Sequence, residues 1–180
     1  MLMKFWRLYL VISVLGTPVS VSGEIVGKVK DWAVGQSGTD ILYGTTGNVK
    51  NNIFGQFCST ENGKCIYQVS LPQGCKKGGT YSSLVATDSA SQVFTLYCNG
   101  KSRDGKQSFY TFSDFKKMDS LVRTGKKIGV VTAQKDGSFL VVRFSLVGSV
   151  AVLDRMRLAA RLKQQPENNG SNTEKAQERL

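Results

Sequence analysis

The middle of the chain is a succession of short runs rich in Val, Ile, Phe, Tyr and Thr, separated by clusters of Gly, Asn, Asp and Ser. β-Branched and aromatic side chains suit a pleated, half-buried surface, and such runs bounded by turn residues mark strands. The pattern predicts strands at Ile25–Val34, Asn52–Cys58, Lys64–Ser70, Tyr81–Thr87, Gln92–Cys98, Gln107–Phe112, Lys127–Ala133 and Ser138–Ser145. Between the first two, residues 37–51 are Gly/Thr-rich and read as a longer loop holding one short strand, Ile41–Tyr43. Asp136-Gly137, with Val130-Val131 before it and Leu140 to Phe144 after it, is a tight-turn signal. No internal repeat interrupts the series.

Two stretches change period from two to about 3.6. After Ser113, whose hydroxyl can accept an exposed backbone N–H, Phe115, Met118, Leu121 and Val122 recur on one helical face. Gly125 stands where such a helix stops, so a helix is expected over about 114–124. The second is expected over about 150–164, capped by Ser149. Its main stripe is Val150, Leu153, Met156 and Ala160, widened by Val152, Ala159 and Leu162, with Arg155, Arg157 and Arg161 outside it. Alternating strands with two helices predict a mainly β fold, an antiparallel β-sandwich with two packed α-helices.

The ends of the chain follow other rules. Lys4 and Arg7 precede an apolar run from Leu8 to Leu15, which Gly16 and Pro18 break before a small-residue exit ending at Gly23. A charged start, a short apolar centre and small residues describe a secretory signal peptide, with cleavage expected near Gly23/Glu24. An uncleaved anchor would need about 20 predominantly apolar residues. After Pro166 the composition turns to Asn, Gly, Ser, Glu and Gln, so residues 163–180 are expected to be a disordered polar tail. One domain, residues 24–162, remains between these ends. The expected location is the periplasm or the exterior, with no membrane-spanning segment in the mature chain.

Export gives the four cysteines, Cys58, Cys65, Cys75 and Cys98, an oxidising setting, and an even count there points to two disulfides. Four cysteines allow three pairings, and sequence does not choose among them. The Asn62-Gly63 turn signal favours Cys58–Cys65, which leaves Cys75–Cys98. A two-residue turn at Asn62-Gly63 would instead set Cys58 opposite Tyr67. A four-cysteine zinc site would call for a close C-x2-C pair, which the spacings lack.

Charge adds a candidate surface. Lys and Arg number 24 against 13 Asp and Glu, a formal +11, of which Lys4 and Arg7 supply two. Much of the remainder falls between residues 101 and 127, where Lys101, Arg103, Lys106, Lys116, Lys117, Arg123, Lys126 and Lys127 face only Asp104, Asp114 and Asp119. A basic face attracts anionic lipids, polysaccharides or acidic proteins, and it also keeps a protein soluble. Nucleic acid is not expected as a partner, for no stacking motif accompanies the charge.

Catalytic chemistry is thin. The chain has no histidine, which excludes a Ser-His-Asp triad, a Cys-His pair and His-ligated zinc. Gly100-Lys-Ser-Arg-Asp-Gly105-Lys106 has phosphate-loop spacing, but Gln107 replaces the hydroxyl that binds magnesium and a strand follows, so it reads as a charged β-turn. Carboxylates are scattered, and no Ser–Lys pair is singled out. The Asn169-Gly-Ser171 sequon lies in the tail. Among the aromatics, Trp32, Tyr43, Phe54, Phe57, Tyr67, Tyr81, Phe94, Tyr97, Phe109, Tyr110 and Phe112 could meet sugars or partners, but their place in strand patterns assigns most of them to the core. A non-enzymatic protein is expected, without catalytic residues, cofactor or metal.

Cys58 followed by Cys65-Ile-Tyr-Gln68 resembles the early cysteine segment of the bacterial invasion-associated locus B family. The helix before Gly125-Lys126-Lys127 is similar to that family's late helix–strand unit. Val141-Val-Arg-Phe-Ser-Leu-Val-Gly-Ser-Val-Ala-Val-Leu-Asp154 resembles its closing strand, glycine and amphipathic helix. The likeness spans roughly residues 52–160. It departs at Asp31-Trp32, which lies far from Cys58, and at Cys75 and Cys98, whose arrangement is only loosely alike. The resemblance implies an exported bacterial β-sandwich tied to host-cell invasion or envelope function, and it brings no catalytic residues. The basic side, including Lys101 to Lys127, would be the contact surface for an anionic envelope or host component. Alternatively, the chain would be a structural subunit of an envelope or secretion assembly, with an envelope protein as partner. A third reading is an unrecognised hydrolase.

Overall fold

A computed structural model describes residues 24–163. The expected signal peptide and the tail from residue 164 onward lie outside the described residues. In chain order the elements are β1 (Glu24–Val29), β2 (Trp32–Ser37), β3 (Ile41–Gly47), β4 (Ile53–Ser59), β5 (Cys65–Leu71), β6 (Thr80–Thr87), β7 (Ser91–Lys101), β8 (Ser108–Phe112), α1 (Phe115–Thr124), β9 (Lys127–Ala133), β10 (Phe139–Ser145) and α2 (Ser149–Leu162). The strands form one antiparallel sheet in the order β1-β2-β3-β4-β5-β8-β7-β6-β9-β10.

Side chains alternate across a strand, so the registers fix one continuous inner face. It runs through Trp32, Leu42, Phe54, Tyr67, Val69, Tyr110, Phe112, Leu96, Phe94, Val85, Val130, Val142 and Phe144, all buried. The sheet folds over so that this face meets itself, in the manner of a sandwich. Phe54 of β4 and Phe144 of β10 have ring centroids 5.6 Å apart. Where the two margins approach, side chains take the place of a ladder. Trp32 Nε1 donates to Ser145 O at 2.9 Å, Asn48 Nδ2 donates to Arg143 O at 3.3 Å, and Ser145 Oγ donates to the Asp31 carboxylate at 2.5 Å. Carbonyls on the outer edge of β10 are thereby given donors rather than left as a template for pairing.

Both helices lie on the inner face, α2 against β1–β4 and α1 against β5. Each fully buried aliphatic side chain contributes about 1.5–3 kcal/mol. α1 buries Met118, Leu121 and Val122. α2 buries Val152, Leu153, Met156 and Ala160. The latter can approach because Gly44 of β3 has no side chain: a Cβ there would lie 2.8 Å from Val152 Cγ1 and 3.2 Å from Leu153 Cδ2.

Several expectations are corrected. The single strand expected at Ile25–Val34 is a hairpin, turned at Lys30-Asp31 with Lys30 at φ 54. Residues 41–47 form a full strand rather than a short one inside a loop. The cap of α1 is Asp114, whose side chain accepts from Lys117 N at 2.9 Å, while Ser113 N–H bonds to Thr95 O. Ser149 is the first residue of α2, not its cap, and its hydroxyl donates to Val122 O. Gly148 precedes it at φ 98. Val150, 40% exposed, leaves the stripe and Val152 takes its place, while α2 ends at Leu162. Gly125 is extended and not left-handed. A Cβ there would press on Thr87 and Leu146, both about 3.0–3.1 Å away.

The cysteines pair as Cys58–Cys65 and Cys75–Cys98. Cys58 stands directly opposite Cys65, because Ser59 N–H bonds to Lys64 O and closes a four-residue loop with Gly63 at φ 65. The Asn-Gly signal thus marks a wider loop than a two-residue turn. The β9–β10 turn does use Gly137 in the left-handed region, at φ 83.

Candidate functional site

Seven of the eight basic candidates fall into two groups, and the eighth, Arg123, stands apart. Lys101, Arg103 and Lys106 belong to the β7–β8 hairpin, where Lys101 faces Ser108. The phosphate-loop look-alike is this turn: Ser102 N–H bonds to Gln107 O and Gly105 N–H to Ser102 O. Ser102 Oγ, first, and then Lys106 N–H hold the Asp104 carboxyl below its ordinary pKa. At the opposite end of β8, past Phe112, come Lys116 and Lys117 of α1, and beyond that helix Lys126 and Lys127. Lys117 Nζ stands 5.5 Å from the centre of the Phe94 ring. The N–H groups of Lys126 and Lys127 bond to the Asp88 carboxylate, which lowers its pKa, while their side chains are exposed. Among the described residues, none of the seven lysines and arginines other than Arg123 makes a salt bridge. Arg123 is engaged by Asp119 at 3.0 Å and Asp154 at 2.6 Å and belongs to a different site.

That site was not legible in the sequence. Beneath the junction of α1, α2, β4 and β5, Asp119 accepts from Tyr67 Oη at 2.7 Å, from Arg123 Nε at 3.0 Å and from Arg157 through both terminal nitrogens, Nη1 at 3.2 Å. Arg157 Nε donates to Gln56 Oε1 at 2.7 Å, and its guanidinium lies 5.4 Å from the centre of the Phe115 ring. Burial alone would raise the Asp119 carboxyl, but hydrogen bonds from Arg157, Tyr67 and Arg123 outweigh it and hold the pKa at about 2. Burial, and then the Asp119 carboxylate, push the Tyr67 phenol well above its usual range. With the carboxyl held ionised and the phenol held neutral, the cluster clamps two helices to the sheet. Arg157, expected outside the helix stripe, is therefore half-buried at its side.

Two hollows of similar size flank α2. One, about 410 Å³, is lined by Ile66, Phe115 and Ala160 with Lys64, Arg157 and Arg161 around them. The other, about 420 Å³, has Val34, Leu42, Met156 and Ala159 beneath Arg155 and Lys163. Lys163 Nζ donates to Gln36 Oε1 at 2.9 Å. Both combine an apolar floor with cations, a combination suited to anionic rather than cationic groups. Of the aromatic candidates, Trp32, Phe54, Tyr67, Phe94, Tyr110 and Phe112 are buried, Tyr43, Phe57, Tyr81 and Phe109 are half-buried, and Tyr97 is exposed. All four cysteines are in disulfides. Among the described residues, no group of three or more His, Cys, Asp or Glu is placed to hold a metal, and no helix is long and apolar enough to cross a membrane.

No protein-family model matches the sequence, and no curated protein matches it. The crystal structure of invasion associated protein B from Bartonella henselae does match in three dimensions. The TM-score is 0.53 at 16% identity, over 78% of this chain and 99% of that one. At that identity the likeness carries the architecture, and the resemblance read from Cys58, Cys65–Gln68 and Val141–Asp154 is met at that level: the chain shares its fold with an invasion associated protein B.

Proposed function

We propose that the protein is exported and acts in the bacterial envelope or outside the cell as a non-enzymatic binding protein for an anionic envelope or host component. The observation that carries this reading is the set of exposed lysines at one end of the sheet, Lys116, Lys117, Lys126 and Lys127, without carboxylate partners among the described residues. They stand on a scaffold with two disulfides, which suits an oxidising compartment. The name of its structural neighbour supports a link to host-cell invasion. Exposed cations of this kind speed encounter with polyanions and lose their effect as salt rises. The test is binding of heparin and of anionic vesicles by the protein carrying Lys→Glu at those four positions. Loss of salt-sensitive binding supports the reading, and unchanged binding removes that surface from it. Intact mass of the protein recovered from its own cell tests export: a chain starting near Glu24 with four oxidised sulfurs is expected.

A second reading, a structural subunit of an envelope or secretion assembly, has one observation in its favour. Leu158 and Leu162, one turn apart on α2, are 59% and 58% exposed. Co-purification of a stoichiometric partner from the envelope fraction would favour it over a free binding protein.

A further inference from the structure

The outer face of β7-β6-β9-β10 carries an apolar row that the fold does not use. The registers set Val93 opposite Leu84, Leu84 opposite Val131, and Val131 opposite Val141, one residue from each of four neighbouring strands. Phe139, 70% exposed, stands two residues along β10 from Val141, opposite Ala133. Val93 is 63% exposed. Scattered apolar side chains on a surface are ordinary, but a row continuous across four strands is a patch, and patches mark contacts.

The remaining outward residues of these strands say what the patch meets. Ser82, Ala86, Ser91, Thr95 and Gly129 are small and uncharged, Tyr97, 46% exposed, stands opposite Thr80, and the charged side chains on the face are the cations Lys127 and Arg143. No acidic residue points from this face. The carboxylates beside it, Asp31, Asp88 and Asp136, lie in turns beyond the strand ends and accept hydrogen bonds from Ser145 Oγ, Lys126 N–H and Ser138 N–H. An apolar row with exposed aromatics and cations along one side suits an anionic lipid surface, where the row enters the acyl boundary and the cations meet headgroup phosphates.

We infer that the outer face of β7-β6-β9-β10 is a docking surface for an anionic lipid bilayer, with Val93, Leu84, Val141 and Phe139 entering the interface and Lys127 and Arg143 meeting headgroups along one side of the row. This rests on the proposed reading that the basic side meets an anionic component, and it names that component as lipid.

The test uses protein purified in its exported form and flotation with phosphatidylethanolamine–phosphatidylglycerol vesicles, beside phosphatidylcholine vesicles and soluble heparin. Val93→Thr and Phe139→Thr together keep strand-forming side chains at exposed positions. They should weaken anionic-vesicle binding about tenfold and leave heparin binding unchanged. In a separate Phe139→Trp protein, the new indole emission should shift to the blue and be quenched by brominated lipid. Vesicle binding equal to wild type in the double Thr variant would overturn the inference. So would heparin binding without vesicle binding in the wild type, which leaves the proposed function standing. Binding to neither sinks both. A concentration-dependent dimer broken by the double variant, with no lipid binding, assigns the face to a second copy and overturns the lipid proposal.

Discussion

The two helices lie on the same inner face and are held there by different means. α1 carries its own start: the Asp114 side chain caps it at Lys117 N, and Arg123 pairs with Asp119 one turn away. α2 has no side-chain cap and enters through Gly148 at φ 98, where a Cβ would stand 2.2 Å from Val29 O. Local chemistry sets the boundary of the first, and tertiary clearance sets that of the second. Two ion pairs couple them, Arg123–Asp154 at 2.6 Å and the more buried Asp119–Arg157, with both side chains 18% exposed.

Gly148→Ala should show the difference most sharply. It adds left-handed strain to a backbone collision and is expected to destabilise by about 3–5 kcal/mol in denaturant unfolding. Asp119→Ala strips Arg157 of its carboxylate under two helices and is expected to cost about 3 kcal/mol. A comparable loss from Arg157→Met would place that energy in the pair, whereas a near-neutral result would show Asp119 acting for α1 alone. Asp114→Ala removes only a cap and is expected to cost about 1 kcal/mol. A larger loss would mean that α1 depends on its cap more than on its packing.

The smallest effect is in pH. The Asp119 carboxyl has its folded pKa at about 2, below the ordinary 3.8. Its stabilisation is complete above pH 4 and is lost as pH falls from about 4 through 2, because the unfolded chain takes up the proton first. Asp119→Asn should therefore flatten the acid decline of the melting temperature over that window relative to wild type. An unchanged slope would assign the decline to other carboxyls, such as Asp88 and Asp136.

What sequence made legible follows the same division. The β9–β10 hairpin, the Cys58–Cys65 bridge and α1 are written in neighbouring residues: Asp136-Gly137, the loop between Cys58 and Cys65, and the spacing of Phe115, Met118 and Val122. β3 was hidden because Gly44 looks like a loop residue, whereas it is the space that lets Val152 and Leu153 reach the sheet. The Lys30-Asp31 turn was hidden because it uses neither Gly, Asn nor Pro; its carboxylate is instead held by Ser145, 114 positions away. Tyr67, Asp119 and Arg157 come from three elements, and only the fold brings them together. The same holds for the outer row, whose members share a face only once four strands are in register.

The disulfides join the first cysteine to the second and the third to the fourth, across separations of 7 and 23 residues. Consecutive linkage leaves the two closed loops separate along the chain, so neither bridge spans the other and each pair can close whether or not the other has formed.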